Sequence, residues 1–274
     1  ATLLVDDECI IKNIPELKDV MTMIKILESL GKRVEYKNNT LVVAPGEASS
    51  VVASYELVST MRASIAVLGP LLAKYGEAKV SFPGGCVIGP RPIDLHLKGL
   101  RALGAKIEVK EGYIIAKAIP KLKGAKIYLG GHFGSSVLAT ANTLMASVLA
   151  EGKTIIENAA CEPELIDLAN FLNVMGAKIS GVGTPTLRIE GVKKLTNNGE
   201  YTIIPDRIEA GTYMIASIVT NGRLFLEGAD IEHNLALIDK LEECGGCVLE
   251  KKGGIEVFRR TDKVQVTDVT TLTY

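Results

Sequence analysis

The chemistry most readily carried by this chain sits in a short loop. Cys86 lies in Pro83-Gly84-Gly85-Cys86-Val87-Ile88-Gly89-Pro90-Arg91-Pro92, a stretch with three glycines and three prolines that can form neither helix nor strand. Arg91 is five residues on, and a neighbouring cation lowers a thiol pKa and favours the nucleophilic thiolate. The alternative is a partly buried, inert thiol. A second cation, Arg62, opens the otherwise apolar run Thr60-Met61-Arg62-Ala63-Ser64, where a charge needs either a ligand or a structural ion pair. A third segment, Gly130-Gly131-His132-Phe133-Gly134-Ser135-Ser136, precedes an apolar helix, so its N–H groups and the helix dipole could cradle an anion. Glycine-rich turns are common, and the segment alone decides nothing.

Other chemical residues read as structure. Cys244-Gly245-Gly246-Cys247 imitates a redox or metal motif, but Cys244 fills a helix-stripe position and Gly245 the cap after it. His96 and His233 show no metal-ligand spacing and read as solvated positions on amphipathic helices. No metal site is expected.

The elements that position these residues recur. Glycines at 31, 104, 176 and 245 each follow an apolar stripe at helical spacing and precede a strand-like alternation, at intervals of 73, 72 and 69 residues. The stripes are Val20/Ile24/Leu27/Leu30, Ile93/Leu97/Leu100/Leu103, Leu165/Ala169/Leu172/Met175 and Asn234/Ile238/Leu241/Cys244. Each glycine fits the left-handed position that ends a helix. Between the units, 60–75, 136–150 and 208–219 are apolar on all sides and read as buried helices. A unit is therefore buried helix, strand, amphipathic helix, strand, strand. Several units make an α/β domain whose sheets lie outside a helical core, with a tandem solenoid as the structural alternative. From strand to capping glycine, three units measure 21 residues and the second 24, so the Cys86 loop carries the extra length. Loops that depart from a rigid scaffold often carry function.

By the same repeat, Ala1–Val5 matches only the tail of a buried helix, and the helix that should follow the strand-like Lys263-Val264-Gln265-Val266 is absent. An internal fragment is expected.

Composition narrows the classes. The chain has 274 residues, 47% of them hydrophobic and 23% charged, which suits a globular protein. Thirty-one Lys and Arg against 32 Asp and Glu leave no broad cationic surface for nucleic acid. The uncharged run Ile127–Ala150 contains glycines, serines and Asn142, so it reads as a loop feeding a buried helix and not as a membrane span. Five cysteines and no signal-like start imply reduced thiols and a cytoplasmic location.

The run Pro83-Gly84-Gly85-Cys86-x-Ile88-Gly89-x-Arg91-Pro92-x-Asp94-Leu95-His96 resembles the active-site loop of the UDP-N-acetylglucosamine 1-carboxyvinyltransferase family of enolpyruvyl transferases. Lys18-Asp19-Val20, Thr60–Ser64, Thr154–Ala160, Gly176–Ile179 and Pro205–Glu209 follow in the family's order. The resemblance implies an inside-out α/β barrel, with 1–204 as the loop-bearing domain of three units and 205–274 as part of a second. It implies phosphoenolpyruvate and UDP-N-acetylglucosamine as substrates, peptidoglycan synthesis as the setting, and no cofactor. Cys86 would take part in protonating the methylene carbon of phosphoenolpyruvate, could bond to it covalently, and would be the sulfur alkylated by fosfomycin. Arg62 and Arg91 would neutralise phosphate and carboxylate, while Pro92, Asp94, Leu95, Ser136 and Val137 would line the UDP-sugar site. The family's Lys-Asn pair falls before residue 1 and its sugar-activating aspartate after Tyr274, so no turnover is expected of residues 1–274 alone. Gly134 stands where many members carry a basic residue. The rival readings are 3-phosphoshikimate 1-carboxyvinyltransferase and a non-catalytic binding scaffold.

Overall fold

The computed structural model describes residues 1–47, 50–84, 92–132, 134–197 and 199–271. The chain divides into two compact units at Ile203/Ile204.

In the first unit the repeat is visible as folded structure. A buried 3-10 turn, Thr2–Leu4, leads into β1 (Cys9–Lys12), α1 (Lys18–Ser29), β2 (Lys32–Lys37) and β3 (Thr40–Pro45). Then come β4 (Val52–Ala53), a short α2 (Tyr55–Val58), a 3-10 helix Arg62–Val67 and α3 (Leu68–Tyr75). The second repeat runs through β5 (Glu77–Ser81), α4 (Asp94–Ala102), β6 (Ala105–Lys110), β7 (Tyr113–Ala118), β8 (Lys126–Tyr128) and α5 (Val137–Ser147). The third has β9 (Lys153–Glu157), α6 (Pro163–Val174), β10 (Lys178–Ser180), β11 (Thr186–Glu190) and β12 (Glu200–Thr202).

The glycines after α1, α4 and α6 sit at φ +91°, +92° and +94° for Gly31, Gly104 and Gly176, the conformation that only glycine adopts without strain. Stripe residues Leu30, Leu100, Leu103, Leu172 and Met175 are buried, with Val20 and Ile24 covered in part.

The three sheets are built by lending. Each holds the three antiparallel strands of one repeat plus a parallel strand from the repeat before it: β4-β5-β7-β6, β8-β9-β11-β10 and β12-β1-β3-β2. The last of these returns the end of the third repeat to the first, pairing Ile10 to Glu200 and Ile11 to Tyr201. The three repeats are thus joined in a closed ring and not as an open solenoid. Inside lie α3 and α5 with the two 3-10 segments, where Leu68, Leu71, Leu72 and Leu144 have no exposed surface. The segment 60–75, expected as one buried helix, is divided. Pro70 has no N–H to give the carbonyl of residue 66, so a continuous α-helix cannot run through, and the first half tightens into 3-10 turns.

The second unit has α7 (Arg207–Thr220), β13 (Arg223–Glu227), a 3-10 turn Ile231–Asn234, α8 (Leu235–Glu243), β14 (Gly246–Lys251) and β15 (Gly254–Arg259) in the sheet β13-β15-β14. Asp206 caps α7 by accepting from the N–H groups of Ile208 and Glu209. Two expectations fail here. The helix over 208–219 is not buried all round: Met214 and Ile218 face the core, but Ile208, Ile215 and Val219 are exposed, because only one side packs on the sheet and α8. The strand-like Lys263–Val266 is not a strand; it joins no sheet among the described residues, its Gln265 N–H donating instead to the Cys244 carbonyl at 3.1 Å, and Val266 is 99% exposed.

No helix among the described residues is long and apolar enough to cross a membrane.

Candidate active site

The Cys86 loop itself, with Cys86 and Arg91, lies outside the described residues. Its two ends are well placed. Gly84 donates its N–H to the Val58 carbonyl at 3.4 Å, and a Cβ on it would come within 2.0 Å of the Ser59 carbonyl oxygen, so the backbones touch and only glycine fits. At the other end, Arg62 Nη2 donates to the Pro92 carbonyl at 3.2 Å. Both ends of the loop are therefore pinned to one short stretch, residues 58–62. The Arg62 guanidinium is held at the loop's exit, where Pro92 is exposed.

Asp94 begins α4 as an exposed residue in the first turn, where its charge complements the helix dipole. Leu95 is half-buried and lies against the glycine turn: a Cβ on Gly131 would sit 3.3 Å from Leu95 Cδ1. The turn is closed by reciprocal hydrogen bonds between Gly131 and Gly134, at 3.0 and 3.2 Å, and Gly134 needs φ +85° to make it. Lys98 Nζ crosses from α4 to the Gly130 carbonyl at 3.0 Å. Ser136 caps α5 by accepting from the Ala139 N–H at 3.4 Å, and Val137 is the first helical residue. The structure thus sets Arg62 against Pro92, two residues before Asp94, and Leu95 against the glycine turn that leads into Ser136 and Val137.

Both histidine expectations are corrected. His96 is only 3% exposed, and its Nδ1 is 2.8 Å from Asn142 Nδ2. Burial, together with the Arg62 charge, pushes its pKa down to about 4. His233 is partly buried in the 3-10 turn before α8, with Nε2 3.8 Å from Asp230. Helical periodicity places residue 96 beside the apolar stripe and cannot show that a polar partner awaits it inside. Asn142 was the available signal: an amide in the middle of an apolar helix must be satisfied by something.

The remaining thiols are not arranged for redox or metal chemistry. Cys9, Cys161, Cys244 and Cys247 are all free. Cys247 is buried and takes a hydrogen bond from Arg260 at 2.7 Å, while Cys244, expected to be shielded, is only half-buried at the end of α8. Among the described residues no three His, Cys, Asp or Glu side chains are grouped to hold a metal ion.

The family model described as EPSP synthase (3-phosphoshikimate 1-carboxyvinyltransferase) matches residues 1–274. The chain belongs to this family. It is 51% identical over 274 residues to UDP-N-acetylglucosamine 1-carboxyvinyltransferase 1 of Caldanaerobacter subterraneus subsp. tengcongensis, covering 100% of this chain and 64% of that one. It is 52% identical over 259 residues to the UDP-N-acetylglucosamine 1-carboxyvinyltransferase of Methylacidiphilum infernorum, covering 94% and 61%. With the Coxiella burnetii protein of that name it shares 47% over 275 residues, covering 100% and 62%. The chain therefore spans 61–64% of the length of these relatives.

Among solved structures, the enolpyruvyl transferase NikO from Streptomyces tendae superposes with TM-score 0.85 at 19% identity, over 99% of this chain and 64% of that one. EPSP synthase from Acinetobacter baumannii superposes with TM-score 0.66 at 17% identity, over 94% and 60%. The fold is that of the enolpyruvyl transferases.

Proposed function

We propose that this chain is the loop-bearing part of an enzyme that moves the enolpyruvyl group of phosphoenolpyruvate to the 3-hydroxyl of UDP-N-acetylglucosamine, the committing step of peptidoglycan synthesis in the cytoplasm. The observation that carries the reading is the identity of 47–52% with curated relatives of that name, over 94–100% of the chain. The 1–204 segment is the domain of three repeats, and 205–274 belongs to the second domain.

The sugar oxygen adds to C2 of phosphoenolpyruvate while a proton reaches C3, giving a tetrahedral adduct. Loss of a C3 proton and departure of inorganic phosphate then restore the double bond in the product. Cys86 serves the C3 proton transfer and can bond to C2 itself. Arg62 and Arg91 hold the phosphate and carboxylate, for which the planar guanidinium fork is suited. Pro92, Asp94, Leu95, Ser136 and Val137 line the nucleotide-sugar site, and no cofactor takes part. The pinning of both loop ends to residues 58–62 supports this, because it holds the Arg62 guanidinium beside Pro92, where the loop rejoins the described fold.

The test is phosphate release by the protein at the full length of its relatives. UDP-N-acetylglucosamine with phosphoenolpyruvate should give phosphate, and shikimate 3-phosphate should not. Activity with shikimate 3-phosphate alone would reject the reading, and failure with both acceptors would favour the binding scaffold.

A further inference from the structure

Asn142 is fully buried in the middle of α5 and is bonded on three sides. Its Oδ1 accepts from the Gly69 N–H at 2.8 Å, and its Nδ2 donates to the Ile65 carbonyl at 2.8 Å and to His96 Nδ1 at 2.8 Å. The Gly69 donor fixes which amide atom is oxygen. Both Nδ2 hydrogens are then spent on two acceptors, so Nδ1 of His96 is the unprotonated nitrogen and the neutral ring carries its hydrogen on Nε2.

This one amide ties together three segments far apart in sequence. The 3-10 helix containing Ile65 begins with Arg62. His96 directly follows Asp94-Leu95 in the first turn of α4. Asn142 itself lies in the helix whose first residues are Ser136-Val137. Close approach makes the tie rigid, since a Cβ on Gly69 would fall 2.3 Å from the Asn142 carbonyl oxygen and one on Gly99 2.0 Å from Thr143 Oγ1.

We propose that Asn142 and His96 are positioning residues of the candidate site, holding the segments that carry Arg62, Asp94-Leu95 and Ser136-Val137 in register without touching substrate. The proposal rests on the functional reading above for what those segments bind. A proton on His96 would remove the acceptor that Asn142 needs and set a second cation beside Arg62. The charged groups acting on the ring are Arg62 from the 3-10 helix and Asp94 from its own helix, whereas α5 carries no charged residue.

The experiment uses the full-length protein and two replacements. Gln at 96 can offer an oxygen to Asn142, and Leu cannot. His96→Leu should raise KM for both substrates by about tenfold or more, the scale of loss expected from misplacing binding groups. His96→Gln should stay within about threefold of the parent. Equal impairment of the two variants, or a folded His96→Leu with unchanged KM, would overturn the proposal. If the parent turns over neither substrate pair, the functional reading fails on its own. Amide exchange over 62–67 and 94–97, faster in the Leu variant but not the Gln variant, then decides the positioning role. Nitrogen NMR of the unaltered protein covers the case in which the Leu variant does not fold. The His96 ring should be neutral with Nδ1 bare at pH 6, and a protonated Nδ1 there would overturn the assignment.

Discussion

At the scale of single residues, thiol reactivity follows burial and charge. Burial raises the pKa of Cys9 and of Cys161, with Glu162 adding to the latter, and Cys247 is enclosed beside Arg260. The Cys9 and Cys161 thiols therefore stay protonated and react slowly at neutral pH, and Cys247 is shielded by its burial. Limited alkylation of the full-length protein followed by peptide mapping should therefore mark Cys86 first, ahead of the half-buried Cys244 and Cys161. Labelling that starts at Cys161 or Cys247 and spares Cys86 would remove the loop thiol from the mechanism. Arg91→Ala should cost about 1.5–3 kcal/mol of charge-assisted bonding, or about ten- to a hundredfold in KM, and an unchanged KM for both substrates would reject its role. His96 gives a pH signature. Its pKa falls from the ordinary imidazole value near 6.5 to about 4 on folding, so below pH 6.5 the unfolded chain takes up a proton that the folded one refuses. Stability is complete above that pH and is lost progressively as pH falls towards 4, by up to about 3 kcal/mol. Denaturant midpoints across pH 4–7 should show this slope, and His96→Gln should flatten it. The loop motif and Arg62 could be read directly from residue types. The Asn142–His96 bond could not, because spacing along two helices says nothing of which polar groups meet across them.

At the scale of elements, the helix, glycine and strand cadence was legible because it depends on local rules: an apolar stripe, a left-handed cap and an alternating hairpin. What escaped depended on neighbours or on a single missing N–H. Pro70 turned half of a helix into 3-10 turns, Lys263–Val266 had alternation but no strand to pair with, and α7 had an apolar surface covered on one side only. Close packing of the central helices makes a testable claim about glycines. Gly69 and Gly99 lie where any Cβ collides with Asn142 or Thr143, while Gly199 has open space around it and no positive φ. Ala at 69 or 99 should destabilise by about 1–3 kcal/mol, lowering Tm by several degrees, whereas Gly199→Ala should change little. Thermal melts of the three variants check this, and equal Tm values would show that α3, α4 and α5 have room to separate.

At the scale of the whole molecule, the two units differ in how much they bury. The first closes its ring by strand exchange, with Asn197 bonded to Glu8, Asn13 to Ile203 and β12 to β1, so its ends hold each other. Its core is one cluster running from Leu3 to Leu195. The second unit, about 70 residues, has a described core of seven: Met214, Ile218, Ile238, Leu241, Val248, Ile255 and Val257. A core of that size rarely supplies more than about 3–5 kcal/mol. Opening free energies should therefore step down at residue 204, because exchange protection follows the local density of buried apolar contacts. Hydrogen exchange of residues 1–274 read by mass spectrometry should find amides of α5 protected far longer than those of α7, β13 and α8. Ile255→Ala should speed exchange throughout 204–271 and leave α3 and α5 unchanged. Uniform protection across residue 204, or a loss that spreads to the central helices in the Ile255 variant, would mean that the chain unfolds as one cooperative body and that the division at Ile203/Ile204 has no energetic meaning.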